Sequence, residues 1–231
     1  MSGFDGVRAL TFDLFGTVLD LGGSLEPPLG RWFAERGLDA DPAEFWAQWR
    51  ARQRIEQYQD NILLLGHSGY LETCRRALRY VLRLNRINFD DGADDEIMAF
   101  WQNLNPYPEV LPALHRLKHR YDLVALSNGE PHFLEHLATN RIGWDFDAII
   151  SVAEVGAFKP HPGVYRHAAT RLGLEPSQCL MVSANSFDVL GARACGFRAA
   201  FVNRQDLPYE DSPLQPDLTV PGFTELADAL L

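Results

Sequence analysis

The apolar positions of this chain change period twice along its length. Val7 to Leu14 is a short, nearly continuous apolar run ended by Gly16, which predicts a buried strand; Leu19 and Leu21 then lead into a Gly/Pro-rich patch, Gly22 to Pro28, that predicts a break. From Leu29 to about Asn103 the apolar residues recur every three or four positions, at Phe45, Trp49, Ile55 and Tyr58, then Ile62 and Leu65, and again at Leu71, Leu78 and Leu82. That period predicts helix throughout. Breaks at Asp39 to Pro42, Gly66 to Gly69 and Asn88 to Gly92 divide the block, and Asp41-Pro42 with Glu44 predicts a helix start, an acidic cap followed by proline in the first turn.

Beyond Asn105-Pro106-Tyr107-Pro108 short apolar runs alternate with helical segments. Strands are predicted at Leu123 to Leu126, Ala148 to Ser151, Cys179 to Val182 and Ala199 to Val202. The helical segments are Glu109 to Lys118, Pro131 to Asn140, Gly163 to Leu172 and Phe187 to Cys195, with Pro208 to Pro221 a loop before a final short helix. Buried strands alternating with helices predict an α/β fold, a Rossmann-like, mainly parallel sheet covered on both faces. The simplest organisation is a core of residues 1–20 and 104–231 with an all-helical insertion, 21–103, standing over one edge of the sheet as a cap. Ligands of such sheets collect at the carboxyl ends of the strands, and Asp13, Ser127-Asn128 and Ser183 to Asp188 all follow predicted strands.

Composition narrows the function. The 231 residues suffice for one full core, with roughly 70% of the unfolded surface buried on folding. Thirty-one acids against 21 Lys and Arg leave a net charge of −10, which disfavours nucleic acid and anionic membrane as partners without excluding a small anion in a local pocket. Cys74, Cys179 and Cys195 are scattered, which argues against a disulfide scaffold and a structural zinc site and predicts a reducing, cytoplasmic location. No run of 18 apolar residues and no basic leader followed by an apolar stretch occurs, so neither a membrane span nor a secretory signal is expected.

From position alone Asp13 reads equally as a nucleophile, a metal ligand or a structural cap. Thr17, in the turn after Gly16, serves either the returning backbone or a carboxylate. Four ordered segments carry a resemblance that goes further: Asp-Leu-Phe-Gly-Thr at 13–17, Ser-Asn-Gly at 127–129, Lys-Pro at 159–160 and Val-Ser-Ala-Asn-Ser-Phe-Asp at 182–188. Together they resemble the motifs of the haloacid dehalogenase superfamily, and in detail its (S)-2-haloacid dehalogenase branch, which also inserts a helical cap after the first motif.

The resemblance implies a catalytic set of Asp13, Thr17, Arg50, Ser127, Asn128, Lys159, Tyr165, Ser183, Asn185 and Asp188. In that reading Asp13 attacks C2 of a short 2-haloalkanoate and forms an ester that water hydrolyses, with Lys159 keeping the nucleophile ionised and Asp188 as its counter-charge. Ser127 and Asn128 would clamp the substrate carboxylate, Ser183 and Asn185 would place the water or support Asp13, and Tyr165 would steady the carboxylate or Lys159. Arg50 would receive the halide, with Arg52 and Arg54 as alternative matches. Leu14, Phe15, Trp49 and Phe187 would complete the substrate position, with Trp46, Ile62 and Leu63 as further candidates for an apolar wall.

One departure separates the chain from the phosphatases it otherwise resembles, which carry a second Asp where this chain has Phe15. A phenylalanine cannot protonate a leaving group, and the fourth motif offers Ser183 and Asn185 around one inward acid, Asp188, so Mg²⁺ loses most of its oxygen ligands. A halide leaves without protonation if donors receive its charge. The reading is therefore hydrolysis without metal or organic cofactor, converting the (S) acid to the (R) hydroxy acid. A Mg²⁺-dependent phosphatase of a small metabolite and a noncatalytic organic-acid binder stand as alternatives. The histidines His132, His161 and His167 have no nucleophile partner in the sequence and read as surface residues. A homodimer is implied by the resemblance and by cap helices rich in Leu and aromatic residues.

Overall fold

The computed structural model describes residues 4–64, 66–88 and 92–231. The expectation at Leu65 and most of the Asn88 to Gly92 break therefore lie outside the described residues.

Strand β1 (Ala9–Phe12) is fully buried and lies at the centre of a six-stranded sheet ordered β5-β4-β1-β6-β7-β8. Its neighbours are β4 (Asp122–Ser127) and β6 (Cys179–Ser183), followed outward by β5 (Ala148–Ser151) on one side and by β7 (Arg198–Val202) and β8 (Leu218–Val220) on the other. Every pairing is parallel, with Leu10 opposite both Leu123 and Leu180. The chain builds outward from β1 through β4 and β5, then crosses back to β6. That reversal leaves a crevice beyond the carboxyl end of β1, where open α/β sheets bind ligands.

Before the sheet continues, β2 (Leu19–Asp20) pairs antiparallel with β3 (Asn105–Pro106), a two-stranded neck through which the chain enters and leaves a helical cap region. The cap comprises α1 (Leu21–Glu35), α2 (Pro42–Leu63), α3 (Tyr70–Leu84), α4 (Ala93–Met98) and a 3₁₀ turn over Ala99–Asn103. The core adds α5 (Val110–Leu117), α6 (Pro131–His136) running into a π turn, α7 (Pro162–Leu172), α8 (Ser186–Ala194) and α9 (Phe223–Leu230). Among the described residues no helix is long and apolar enough to cross a membrane.

Three expectations need correction. The Gly22 to Pro28 patch is helix, not a break: Asp20 caps α1 by accepting from the Gly23 amide at 2.9 Å, and a Cβ on Gly23 would come within 2.3 Å of that carboxylate. Pro27 and Pro28 deprive two carbonyls of their amides, yet Leu21, Leu25, Leu29 and Phe33 form a buried stripe whose packing outweighs local propensity. The 208–221 loop contains edge strand β8, too short to announce itself. In α2 the apolar period fails after Trp49: Ile55, Ile62 and Leu63 are exposed, while Gln53, Glu56 and Gln57 are buried. Asp41 does cap α2 ahead of Pro42 as expected.

The cap's interior is aromatic. Trp49 meets Trp101 edge-on with ring centroids 5.7 Å apart, Tyr70 meets Trp101 at 5.6 Å, and Phe15 from the core stacks on Tyr70 at 4.0 Å. Phe15 thereby joins the first loop of the sheet to the cap.

Candidate active site

Asp13 follows β1 directly, and its amide donates to Val182 O at 3.0 Å, so the ladder with β6 fixes its backbone. The chain then turns sharply, the Leu14 carbonyl accepting from the amides of Val18 and Leu19. The turn returns Thr17 beneath the carboxylate. Thr17 Oγ1 donates to Asp13 Oδ2 at 2.8 Å and accepts from the Ala184 amide at 2.8 Å, which uses the hydroxyl in both directions. Asn185, at the start of α8, makes no side-chain cap; its Nδ2 donates instead to the same Oδ2 at 2.9 Å.

The other carboxylate oxygen faces a cation. Lys159 Nζ lies 3.5 Å from Asp13 Oδ1 and 2.9 Å from Asp188 Oδ2, and the ammonium is 1% exposed. Asp188 Oδ1 accepts from Tyr165 OH at 2.7 Å, and Asn128 Oδ1 accepts from the Lys159 amide at 3.0 Å. Gly191 makes room for this packing, since a Cβ there would come within 2.7 Å of both Pro160 and the Tyr165 hydroxyl. Burial pushes the Asp13 carboxyl above its ordinary value; Lys159, the Thr17 hydrogen bond and Arg50 pull it back, and Asp188 adds to the rise. Burial and the Asp188 charge push the Tyr165 phenol up as well, which keeps it a donor.

Over this cluster α2 lowers Arg50, Arg54 and Gln57, spaced as one face of a helix. Arg50 donates to Gln53 Oε1 at 2.9 Å and reaches the Phe15 carbonyl at 3.4 Å. Arg54 donates to Asn185 Oδ1 at 3.0 Å and lies 5.6 Å over the Phe187 ring. Arg52 turns away to Glu56 and the Tyr80 ring, which removes it as a candidate. The cleft between floor and roof holds about 10 Å³ of space for a water centre, roughly one water. Its wall carries three cations, Arg50, Arg54 and Lys159, against two carboxylates, Asp13 and Asp188, a local surplus of positive charge in an acidic protein.

The remaining expected residues separate. Phe15, Asn128 and Phe187 line the cleft. Ser127 is fully buried at the end of β4 with no hydrogen-bond partner for Oγ among the described residues, and Ser183 Oγ accepts from the Asn185 amide. Leu14 and Trp49 do not line the cleft: Leu14 is core, and Trp49 lies among the cap aromatics with its Nε1 on the Cys74 carbonyl. Trp46 faces a neighbouring cavity, and Ile62 and Leu63 are no wall at all, at 77% and 59% exposed. Gln57 and Tyr70 line the cleft without having been singled out. The signal for Gln57 is the polar stripe Arg50, Gln53, Arg54, Gln57 at helical spacing, which runs against the rule that apolar stripes mark buried faces; Tyr70, at the start of α3, belongs to no such stripe. The three histidines stay outside the cluster: His161 caps α7, His167 pairs with Glu154 and His132 is exposed.

A divalent ion does not fit these residues. The Lys159 ammonium already stands between Asp13 and Asp188, and among the described residues no three His, Cys, Asp or Glu are grouped to hold a metal.

Comparison with known proteins places the arrangement. Residues 7–196 match the family of haloacid dehalogenase-like hydrolases. (S)-2-haloacid dehalogenase 4A of Burkholderia cepacia is 31% identical over 215 residues, 91% of this chain and 90% of that protein. Haloacetate dehalogenase H-2 of Moraxella sp. (strain B) is 29% identical over 217 residues, 93% and 94% of the two chains. The structure of L-2-haloacid dehalogenase from Xanthobacter autotrophicus with chloropropionic acid covalently bound has a TM-score of 0.84 at 27% identity, covering 96% of this chain and 97% of that one. The family match runs from the first strand past the helix that carries Asp188, so it takes in the floor of the cleft and the cap above it, and the chain belongs to the haloacid dehalogenase-like hydrolases, in their (S)-2-haloacid dehalogenase family.

Proposed function

We propose that this protein hydrolyses short (S)-2-haloalkanoates to (R)-2-hydroxyalkanoates through an ester on Asp13, without a metal ion. One observation carries the reading: the two oxygens of Asp13 are held differently, Oδ2 by two donors and Oδ1, among the described residues, by none nearer than the Lys159 ammonium at 3.5 Å. Oδ1 is the attacking atom. It displaces halide from C2 with inversion, and the electron pair of the carbon–halogen bond leaves with the halide.

The ester carbonyl is then Oδ2. Water attacks the Asp13 carbonyl carbon, and the negative charge that develops on Oδ2 meets Thr17 Oγ1 and Asn185 Nδ2, already at 2.8 and 2.9 Å, a preorganised oxyanion hole. Collapse breaks the Asp13 Cγ–Oδ1 bond, so the hydroxy acid leaves with Oδ1 as its hydroxyl oxygen, the water oxygen stays in the regenerated Asp13 carboxylate, and one proton passes to solvent. Lys159 stabilises the ionised nucleophile, Asp188 and Tyr165 hold Lys159, and Ser183 holds Asn185 through its amide. Arg50 receives the halide. Ser127, Asn128 and the unspent Gln57 amide bind the substrate carboxylate, with Phe15 and Phe187 against the carbon chain.

Residues 21–103 act as the cap domain over a core domain of 1–20 and 104–231. The exposed apolar side chains Ile55, Ile62, Leu63 and Leu84 on the cap helices support a homodimer, and three free cysteines support a cytoplasmic location.

The test is halide release from racemic 2-chloropropionate with and without chelator, followed by analysis of the unreacted enantiomer. Chelator-resistant consumption of the (S) form is expected. Single turnover in ¹⁸O-labelled water should leave label in Asp13, and label found only in the product would overturn the ester.

A further inference from the structure

Arg50 and Arg54 stand one turn apart on α2 and both enter the cleft. Like charges at this spacing repel, and desolvating a guanidinium without a counter-charge is costly. Neither reaches a carboxylate among the described residues. The dehalogenation mechanism uses Arg50 for the halide and leaves Arg54 without a ligand, its Nε buried and unpartnered.

Arg54 also stands at a boundary. The inner cleft has room for about one water, roughly 10 Å³, whereas a second cavity of about 480 Å³ adjoins it and shares Arg50, Arg54 and Asn185 as walls. A substituent on the carbon next to C2 therefore extends past Arg54 towards the larger space. An alkyl substituent leaves the guanidinium desolvated and unpaired; a carboxylate pairs with it, with the planar fork suited to two oxygens. Asp20 and Glu26 line the same outer cavity, as does Arg204, which pairs with Glu109, so the cations that meet no carboxylate among the described residues stand at its Arg50–Arg54 end.

We infer that Arg54 is a specificity-determining residue that binds a second carboxylate on the substrate, and that short 2-halo dicarboxylates are a substrate class of this site. The inference rests on the dehalogenase reading. The chemistry is unchanged: Asp13 displaces halide from C2, and water releases the 2-hydroxy dicarboxylate.

The experiment compares kcat/KM for halide release from (S)-2-chlorobutanedioate and (S)-2-chlorobutanoate, equal in carbon count, in the native protein, Arg54→Leu and Arg54→Lys. The native protein should favour the dioate. Arg54→Leu should lower the dioate-to-butanoate ratio by about 10- to 100-fold, the range for losing one charge-assisted hydrogen-bonded partner, and Arg54→Lys should restore part of it. Butanedioate should also protect Asp13→Asn against thermal unfolding better than butanoate does, and this difference should vanish when Arg54→Leu is added. An unchanged ratio in Arg54→Leu, or a native protein that turns over only the butanoate, would overturn the inference and leave Arg54 as support for Asn185. Failure to release halide even from 2-chloropropionate would sink the dehalogenase reading and the inference with it.

Discussion

The floor of the cleft and its roof use their polar groups in opposite ways. On the floor Asp13, Thr17, Lys159, Tyr165, Asn185 and Asp188 satisfy one another, leaving Asp13 Oδ1 as the loosely held atom. In the roof Arg50 and Arg54 find amides, a carbonyl and a ring face but, among the described residues, no carboxylate, and Arg54 Nε and Gln57 Nε2 find no partner there. A closed network rigidifies a nucleophile and holds its reacting oxygen in place. Unspent cationic donors are a poor way to stabilise a fold and a good way to receive an anion. In the proposed mechanism the covalent chemistry falls to the core, and the cap adds cationic and amide donors for the leaving group and the substrate's charge.

The contrast can be broken most severely at Asp13. Asp13→Asn should reduce halide release by about 10⁴-fold or more while substrate still binds, measured by turnover and by calorimetry. Because the folded state holds a proton on Asp13 more tightly than the unfolded chain does, stability attributable to this group is greatest below the ordinary value of 3.8 and falls as pH rises through the raised one. Asp13→Asn should therefore melt no lower than the native protein at neutral pH.

Lys159→Met comes next. It should lower kcat by about 10²- to 10⁴-fold and destabilise the fold by about 3–5 kcal/mol, since it strands Asp188. Adding Asp188→Asn should recover most of the melting temperature and none of the turnover, which separates the structural from the chemical contribution of the pair.

Thr17→Val removes one donor to Oδ2 and should cost about 10²-fold in kcat. The rate requires the Asp13 carboxylate, so kcat/KM falls as pH drops through the raised Asp13 value, and the acid limb should lie above 3.8 in the native protein. The variant loses a hydrogen bond that lowers this value, so its limb should move to higher pH. A limb that stays where it is would remove Asp13 as the titrating group.

The smallest effect lies where roof and floor are tied together. Asn61 donates to the Phe158 carbonyl at 2.7 Å and accepts from its amide at 2.8 Å, strapping the end of α2 to the residue before Lys159. Asn61→Ala should cost about 1–3 kcal/mol, read by thermal unfolding, with faster amide exchange at Phe158.

Most of the floor was legible from the chain. Asp13 follows a strand and Asp188 lies in the first turn of a helix, and an all-parallel sheet brings the ends of its strands to one edge regardless of their separation in sequence, whereas Lys159, on the loop before α7, was marked by the family resemblance. The roof was legible only in part. Arg50 was marked by its resemblance to a family position, but Gln57 and Tyr70 were not, and Trp49, Ile62 and Leu63 were assigned to a wall they do not form. Apolar side chains on a helix suggest a buried face, yet α2 buries polar groups over the cleft and exposes Ile55, Ile62 and Leu63 on its outer side.

The order of strands and helices, the proline-marked start of α2, the replacement of a proton donor by Phe15 and the surplus of acids are properties of the chain itself, because local period, turn chemistry and composition act within a few residues. Which oxygen of Asp13 is held and which faces Lys159, which of three neighbouring arginines enter the cleft, and how α1 tolerates two prolines were decided only when distant segments packed. A hydrogen bond between residues 13 and 185, or an ion pair between 159 and 188, exists only after the sheet has closed the intervening chain. The charge left unpaired in the roof is likewise visible only against the network completed beneath it.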